Sequence, residues 1–214
     1  MPWMTLALSI TCLLLRVLYG LMTPMQQRMF IEAAGANPAS LSQGILDPAG
    51  LFASGAWWPL LMSLFIHSSW LHLVGNMAYL WVFGMPVERR LGPMGLVVVF
   101  LLGGALANLI VAVQMPQLDT PVIGASGAVS AVVGAYLALF PGRRIGLYLP
   151  LGMFVQFVQV SALLVIGSWF TLQLVYSLFG PISRTMAWWT HLAGFAVGLI
   201  FALLVRALSQ LKVR

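Results

Sequence analysis

Charge is scarce in this chain, and acid is scarcest. Only 7% of the 214 residues are charged while 61% are hydrophobic, giving a mean hydropathy of +1.00. Such a composition excludes ordinary soluble and disordered chains and indicates an all-α polytopic membrane protein, with residues 1–214 as a single domain. Cysteine occurs once, at Cys12 in an apolar run, which excludes a disulfide framework and a cysteine metal site. The acids are Glu32, Asp47, Glu88 and Asp119, none of them well inside an apolar segment. A membrane-embedded pair of carboxylates sharing a proton is therefore excluded. His67, His72 and His191 form no HExxH or comparable ligand set, so no zinc peptidase, no metal site and no cofactor is expected. The net charge of +6 comes from Lys and Arg scattered at the ends of apolar runs, a pattern of membrane topology and not of nucleic-acid binding.

What is present is a series of apolar segments at about 3–22, 70–87, 94–114, 126–140, 147–170 and 188–205, expected as six transmembrane helices. The first lacks a basic flank and a small-residue cleavage site and is expected to be a retained helix. Placing both termini inside gathers Arg89, Arg90, Arg143, Arg144, Arg206, Lys212 and Arg214 on the inner side and leaves Arg28 and Arg184 outside. Arg16 is expected to snorkel to the outer interface. The long first loop, 23–69, carries a short apolar run at 56–66 that is expected to lie in the outer interface with Trp57, Trp58 and Trp70.

The fourth segment is too short. From Ser126 to Phe140 it reaches roughly 22 Å at ~1.5 Å per residue, against a hydrocarbon core of about 30 Å. Ser126 must then start below the outer surface, met by a non-helical strand from Val122 to Ala125 that is tolerated only inside protein or beside water. Small residues line one face of this segment, Gly127, Ala131, Gly134 and Ala138, and one face of the sixth, Gly194, Gly198 and Ala202. His191 shares the latter face. If those two faces pack together, Ser126 and His191 are neighbours. Measured from the inner basic residues, Ser126, His72, Asn76 and His191 fall in one layer roughly 20 to 26 Å up, at ~1.5 Å per residue. His72 and Asn76 share a helix face at i, i+4.

Each feature has a plainer reading. GASG suits close helix packing, a serine at a helix start is often a cap, and membrane asparagines such as Asn108, with Gln156 and Gln159, usually bond between helices. An intramembrane histidine more often marks function. Taken together, with carboxylate and zinc chemistry removed, serine with histidine remains: His191 takes the hydroxyl proton as Ser126 attacks a carbonyl and then gives it to the leaving amine. Asn76, His72 and backbone N–H groups at the start of the fourth helix would face the oxyanion.

These residues resemble the rhomboid family of intramembrane serine proteases. The resemblance rests on HSSWLHLVGNMAYLWVFG at 67–84, ERRLG at 88–92, GASGA at 124–128 with Gly124 and Gly127, and HLAGFAVG at 191–198 with Gly194 and Gly198. It implies a six-helix bundle with a membrane-embedded first loop, Ser126 as nucleophile, His191 as base, and His72 and Asn76 at the oxyanion. It further implies membrane-protein substrates cut in or beside their transmembrane segments, a fifth helix that gates the site, and the minimal bacterial form in an inner membrane with its site opening outward. Two positions depart from the pattern. Trp58-Pro59 stands where many relatives have Trp-Arg, and Ser130 stands where some carry an aromatic under the base, leaving the Ser130 hydroxyl as the expected support for His191. Rival readings are a rhomboid-like pseudoprotease that holds clients without cutting them, and a small transporter or channel.

Overall fold

The computed structural model describes residues 2–53, 55, 57–151, 154–179 and 182–211. In chain order its helices are α1 (Trp3–Leu21), α2 (Pro24–Ala34), α3 (Pro38–Leu46), α4 (Pro48–Ala53), α5 (Trp58–Met62), α6 (Trp70–Tyr79), α7 (Met85–Gln114), α8 (Ser126–Leu139), α9 (Ala162–Phe179) and α10 (Ile182–Leu211). Strands β1 (Arg144–Leu151) and β2 (Phe154–Ser161) form one antiparallel hairpin between α8 and α9. Among the described residues three stretches are long and apolar enough to cross a membrane, Trp3–Leu21, Trp70–Gln114 and Trp188–Leu208, and two shorter helices are also apolar, Ser126–Leu139 and Ala162–Val175. The chain is thus a polytopic membrane bundle of helices.

The stretch Trp70–Gln114 holds two of the expected segments. A π-helical turn, Leu80–Gly84, joins α6 to α7, and α7 is broken at Gly92, where φ is 77° and ψ 169°. Pro93 has no N–H and disfavours helical backbone in the residue before it, and only glycine enters that positive-φ region without cost. At the other end of this turn Glu88, 4% exposed, accepts from Met4 N, Thr5 N and Thr5 Oγ1 at 2.8, 2.8 and 2.7 Å. A carboxylate on the free N–H groups of a helix start satisfies both hydrogen bonding and dipole, so Glu88 fastens α1 to α7.

Helix α8 is the centre of the bundle and is buried along nearly all its length. Its small residues permit this. A Cβ on Gly194 would strike the Gly127 carbonyl, one on Gly198 the Ala131 carbonyl, and one on Gly134 the Phe195 carbonyl. Because the contacts advance together along both chains, α8 and α10 run parallel with their backbones touching. On the opposite side Gly103 and Gly104 of α7 meet Ala131 and Ala128. The expected packing of the fourth and sixth segments is what the structure has.

Other expectations need correction. The fifth segment, read as a helix over 147–170, begins instead as the β1–β2 hairpin, paired from Arg144 with Ser161 to Leu151 with Phe154. The valines and phenylalanines of FVQFVQVS suit a strand, and Pro150 is incompatible with a helix interior. Gln156 and Gln159 consequently lie exposed on β2 and not between helices. Helix α9 starts later and continues to Phe179, and α10 starts earlier than expected, so the presumed loop 171–187 is mostly helix. The first loop also contains α2 to α5. Asn108 does bond another helix as expected, donating to Leu60 O of α5 at 3.4 Å and to Ser63 Oγ at 3.1 Å. Pro59 lies in the first turn of α5, where its missing N–H costs nothing. Arg16 stacks its guanidinium 4.8 Å over the Trp70 ring. Lys212 and Arg214 of the charge pattern lie outside the described residues, as does the side chain of Arg184.

Candidate active site

Ser126 opens α8, and the close approach of α10 determines what it faces. A Cβ on Gly127 would stand 2.8 Å from Thr190 Cγ2, so the backbone next to Ser126 rests directly on the residue before His191. Both Ser126 and His191 line one cavity of about 400 Å³, together with His72, Asn76, Gly75, Tyr79, Trp169, Gln173 and Thr190. Serine and histidine thus come from α8 and α10, and His72 and Asn76 from successive turns of α6. The structure brings these four side chains to one cavity. Ser126 and His72 are partly exposed within it, while His191 is 6% exposed.

The strand that delivers Ser126 is held at Val122, Gly124 and Ala125. Val122 and Ala36 exchange backbone hydrogen bonds at 2.8 and 3.0 Å, Gly124 N donates to Ser63 O at 2.9 Å, and Ala125 N donates to His67 Nε2 at 3.4 Å. Gly124 has φ 115°, and a Cβ there would lie 2.5 Å from the His72 ring. Only glycine meets both demands. Asn76 Nδ2 donates to His72 O at 3.1 Å, which spends one amide hydrogen and leaves the other for the cavity.

His67 was given no role by the sequence beyond the zinc count. In the structure it is fully buried, with Nδ1 3.2 Å from Phe65 O and Nε2 accepting from Ala125 N. This requires the neutral ring with its proton on Nδ1. Burial pushes its pKa down to about 4, helped by nearby His72, against the opposing bond to Phe65 O. Ser130 corrects another expectation. Its hydroxyl donates to Ser126 O at 2.7 Å within α8 and does not support His191. The ring against His191 is Trp169 of α9, with centroids 5.1 Å apart. Nothing in the periodicity of 162–179 singles out that tryptophan.

Every acid is occupied elsewhere. Glu88 holds α1, Asp119 accepts from Asn37 Nδ2 at 2.7 Å, Asp47 from Gly50 N at 3.0 Å, and Glu32 lies 3.9 Å from Arg28. Among the described residues no group of His, Cys, Asp and Glu is arranged to hold a metal.

A membrane bundle that brings a serine and a histidine to one cavity, on helices packed glycine to carbonyl, defines the class of polytopic proteins with polar side chains gathered inside the helical bundle. Within that class the chain belongs to the rhomboid family: the Rhomboid domain matches residues 54–208. It is 32% identical over 154 residues to Rhomboid-like protein 11, chloroplastic, of Arabidopsis thaliana, covering 70% of this chain and 53% of that protein. It is 31% identical over 114 residues to Rhomboid protease GluP of Bacillus subtilis, covering 53% of this chain and 22% of that protein. The human Presenilin-associated rhomboid-like protein, mitochondrial, is 31% identical over 134 residues, 61% of this chain and 32% of that protein. The chain spans about half the length of these relatives or less.

Proposed function

We propose that the protein is a serine endopeptidase that cuts other membrane proteins in or beside a transmembrane segment. The observation that supports this reading is that Ser126 and His191, from separate helices, line one cavity together with His72 and Asn76. Ser126 Oγ attacks the peptide carbonyl while His191 accepts its proton. The imidazolium then protonates the departing amine, and a water repeats the sequence on the acyl-enzyme. The negative oxygen is received by Asn76 Nδ2, His72 and the unpaired backbone N–H groups in the first turn of α8, a contribution of about 3 kcal/mol per donor. With all acids engaged elsewhere, the catalytic unit is a dyad.

A membrane helix shields its own peptide bonds, so the substrate must unwind inside the cavity before attack. Helix-breaking residues near the outer end of its segment favour cutting. The basic residues Arg89, Arg90, Arg143, Arg144 and Arg206 support an orientation with both termini in the cytoplasm and the site toward the outer face of a bacterial inner membrane. The test uses purified protein and a labelled transmembrane substrate, alongside Ser126→Ala and His191→Ala. Cleavage is expected only with the unaltered chain. Identical traces from all three would leave the protein a holder of clients.

A further inference from the structure

The inference concerns what orients the base, and it rests on the reading of His191 just given. An imidazole that takes a proton and returns it must keep its ring plane and tautomer fixed, a task done in soluble hydrolases by a carboxylate on the second nitrogen. In this chain Nδ1 of His191 is buried without a hydrogen-bond partner, and no acid lines the cavity. Ser130 turns its hydroxyl back onto its own helix. An aromatic contact is present: the indole of Trp169 lies 5.1 Å from the imidazole with the two planes at 38°.

That indole is itself pinned. Its ring lies 5.5 Å from Tyr79 on α6 and 4.9 Å from Phe170 beside it, and Phe170 packs edge-on at 4.9 Å against Phe195, one turn beyond His191 on α10. A side chain with two rotatable bonds, held by neighbours on both flanks, presents a fixed wall to the imidazole. Its face is also within the range at which an aromatic ring attracts a cation, so it can meet the charge that appears on His191 when Ser126 gives up its proton. We infer that Trp169 is the positioning residue of the base, an aromatic brace on α9 that stands where a triad would have its acid.

The experiment compares the full-length protein with Trp169→Phe and Trp169→Leu in detergent. Four quantities are read: kcat and KM on the transmembrane substrate, the rate at which a small fluorophosphonate labels Ser126, and the ¹⁵N signals of the His191 ring, assigned with His191→Ala. The fluorophosphonate needs no helix to enter, so its rate reports the dyad and not substrate admission. Trp169→Leu is expected to lower kcat and the labelling rate together by about ten- to a hundredfold, as loss of orientation does. KM should change much less than kcat, and the ¹⁵N pair should shift toward exchanging tautomers. Trp169→Phe keeps a ring face and is expected to restore most of both rates. Wild-type labelling and unchanged ¹⁵N signals in Trp169→Leu would overturn the brace while leaving the protease reading intact. Equal losses in Phe and Leu variants with a lowered thermal midpoint would reduce Trp169 to packing. If the unaltered chain neither cuts nor labels, the protease reading fails and this inference falls with it.

Discussion

Replacing Gly194 by alanine tests whether the site depends on contact between two backbones. The added methyl would overlap the Gly127 carbonyl oxygen and stand 3.0 Å from its carbon and 3.3 Å from its Cα. Backbone cannot rotate aside as a side chain can, so α8 and α10 must separate. Overpacking of this kind costs about 1–3 kcal/mol. At roughly 2–4 °C per kcal/mol for a chain of this size, the thermal midpoint should fall by roughly 2–12 °C. The loss of activity should be larger than the loss of stability suggests. Gly127 adjoins Ser126 and Gly194 lies one turn after His191, so the same separation opens the gap between the proposed nucleophile and base. A displacement of about 1 Å between reacting groups costs on the order of a hundredfold in rate. The control is Gly167→Ala on α9, where a Cβ meets nothing within 4 Å and the helix should gain up to about 1 kcal/mol. Differential scanning fluorimetry in detergent and cleavage of a transmembrane substrate supply the two readouts. Wild-type values for Gly194→Ala, or equal damage from Gly167→Ala, would refute the argument.

Acid should loosen the protein through His67. Its pKa is about 4 folded against 6.5 unfolded, so between those values the unfolded chain binds more protons and stability falls as pH drops. The full difference is worth about 3 kcal/mol, present above pH 6.5 and lost toward pH 4. Thermal midpoints across that range should fall for the unaltered chain and flatten in His67→Gln; parallel curves would dismiss His67 as the sensor. Glu88→Ala should cost about 2–3 kcal/mol, because three donors at the head of α1 lose a charged acceptor. Hydrogen exchange at Met4 and Thr5 unchanged by the substitution would contradict that role.

How much of this was legible depends on whether the signal was periodic. The faces Gly127–Ala131–Gly134 and Gly194–Gly198 sit at helical spacing and announce which helices touch. Likewise the i, i+4 pair His72 and Asn76 announces a shared direction, and the apolar run 126–140 announces a helix as short as the one found, Ser126–Leu139. Trp169, by contrast, is one aromatic among many in a uniformly apolar helix, where any face could be the inner one. The hairpin escaped because an apolar run such as 147–161 satisfies helix and strand alike by hydropathy, and only Pro150 and the valine and phenylalanine content of FVQFVQVS break the tie. His67 was passed over because its partners, Phe65 O and Ala125 N, are backbone groups and leave no mark in the residue pattern.

The wide turn at Leu80–Gly84 makes the length of this stretch as important as its composition. A π turn carries one residue more than an α turn, and that surplus sets the angular offset between everything before it and everything after. Upstream it aims His72 and Asn76 at the cavity; downstream it aims Glu88 at the first residues of α1. Dropping a single residue here would swing one half about the axis by roughly 100°, one residue's share of a helical turn. Substitutions inside the turn can be absorbed locally, whereas a deletion would be felt at both distant ends at once.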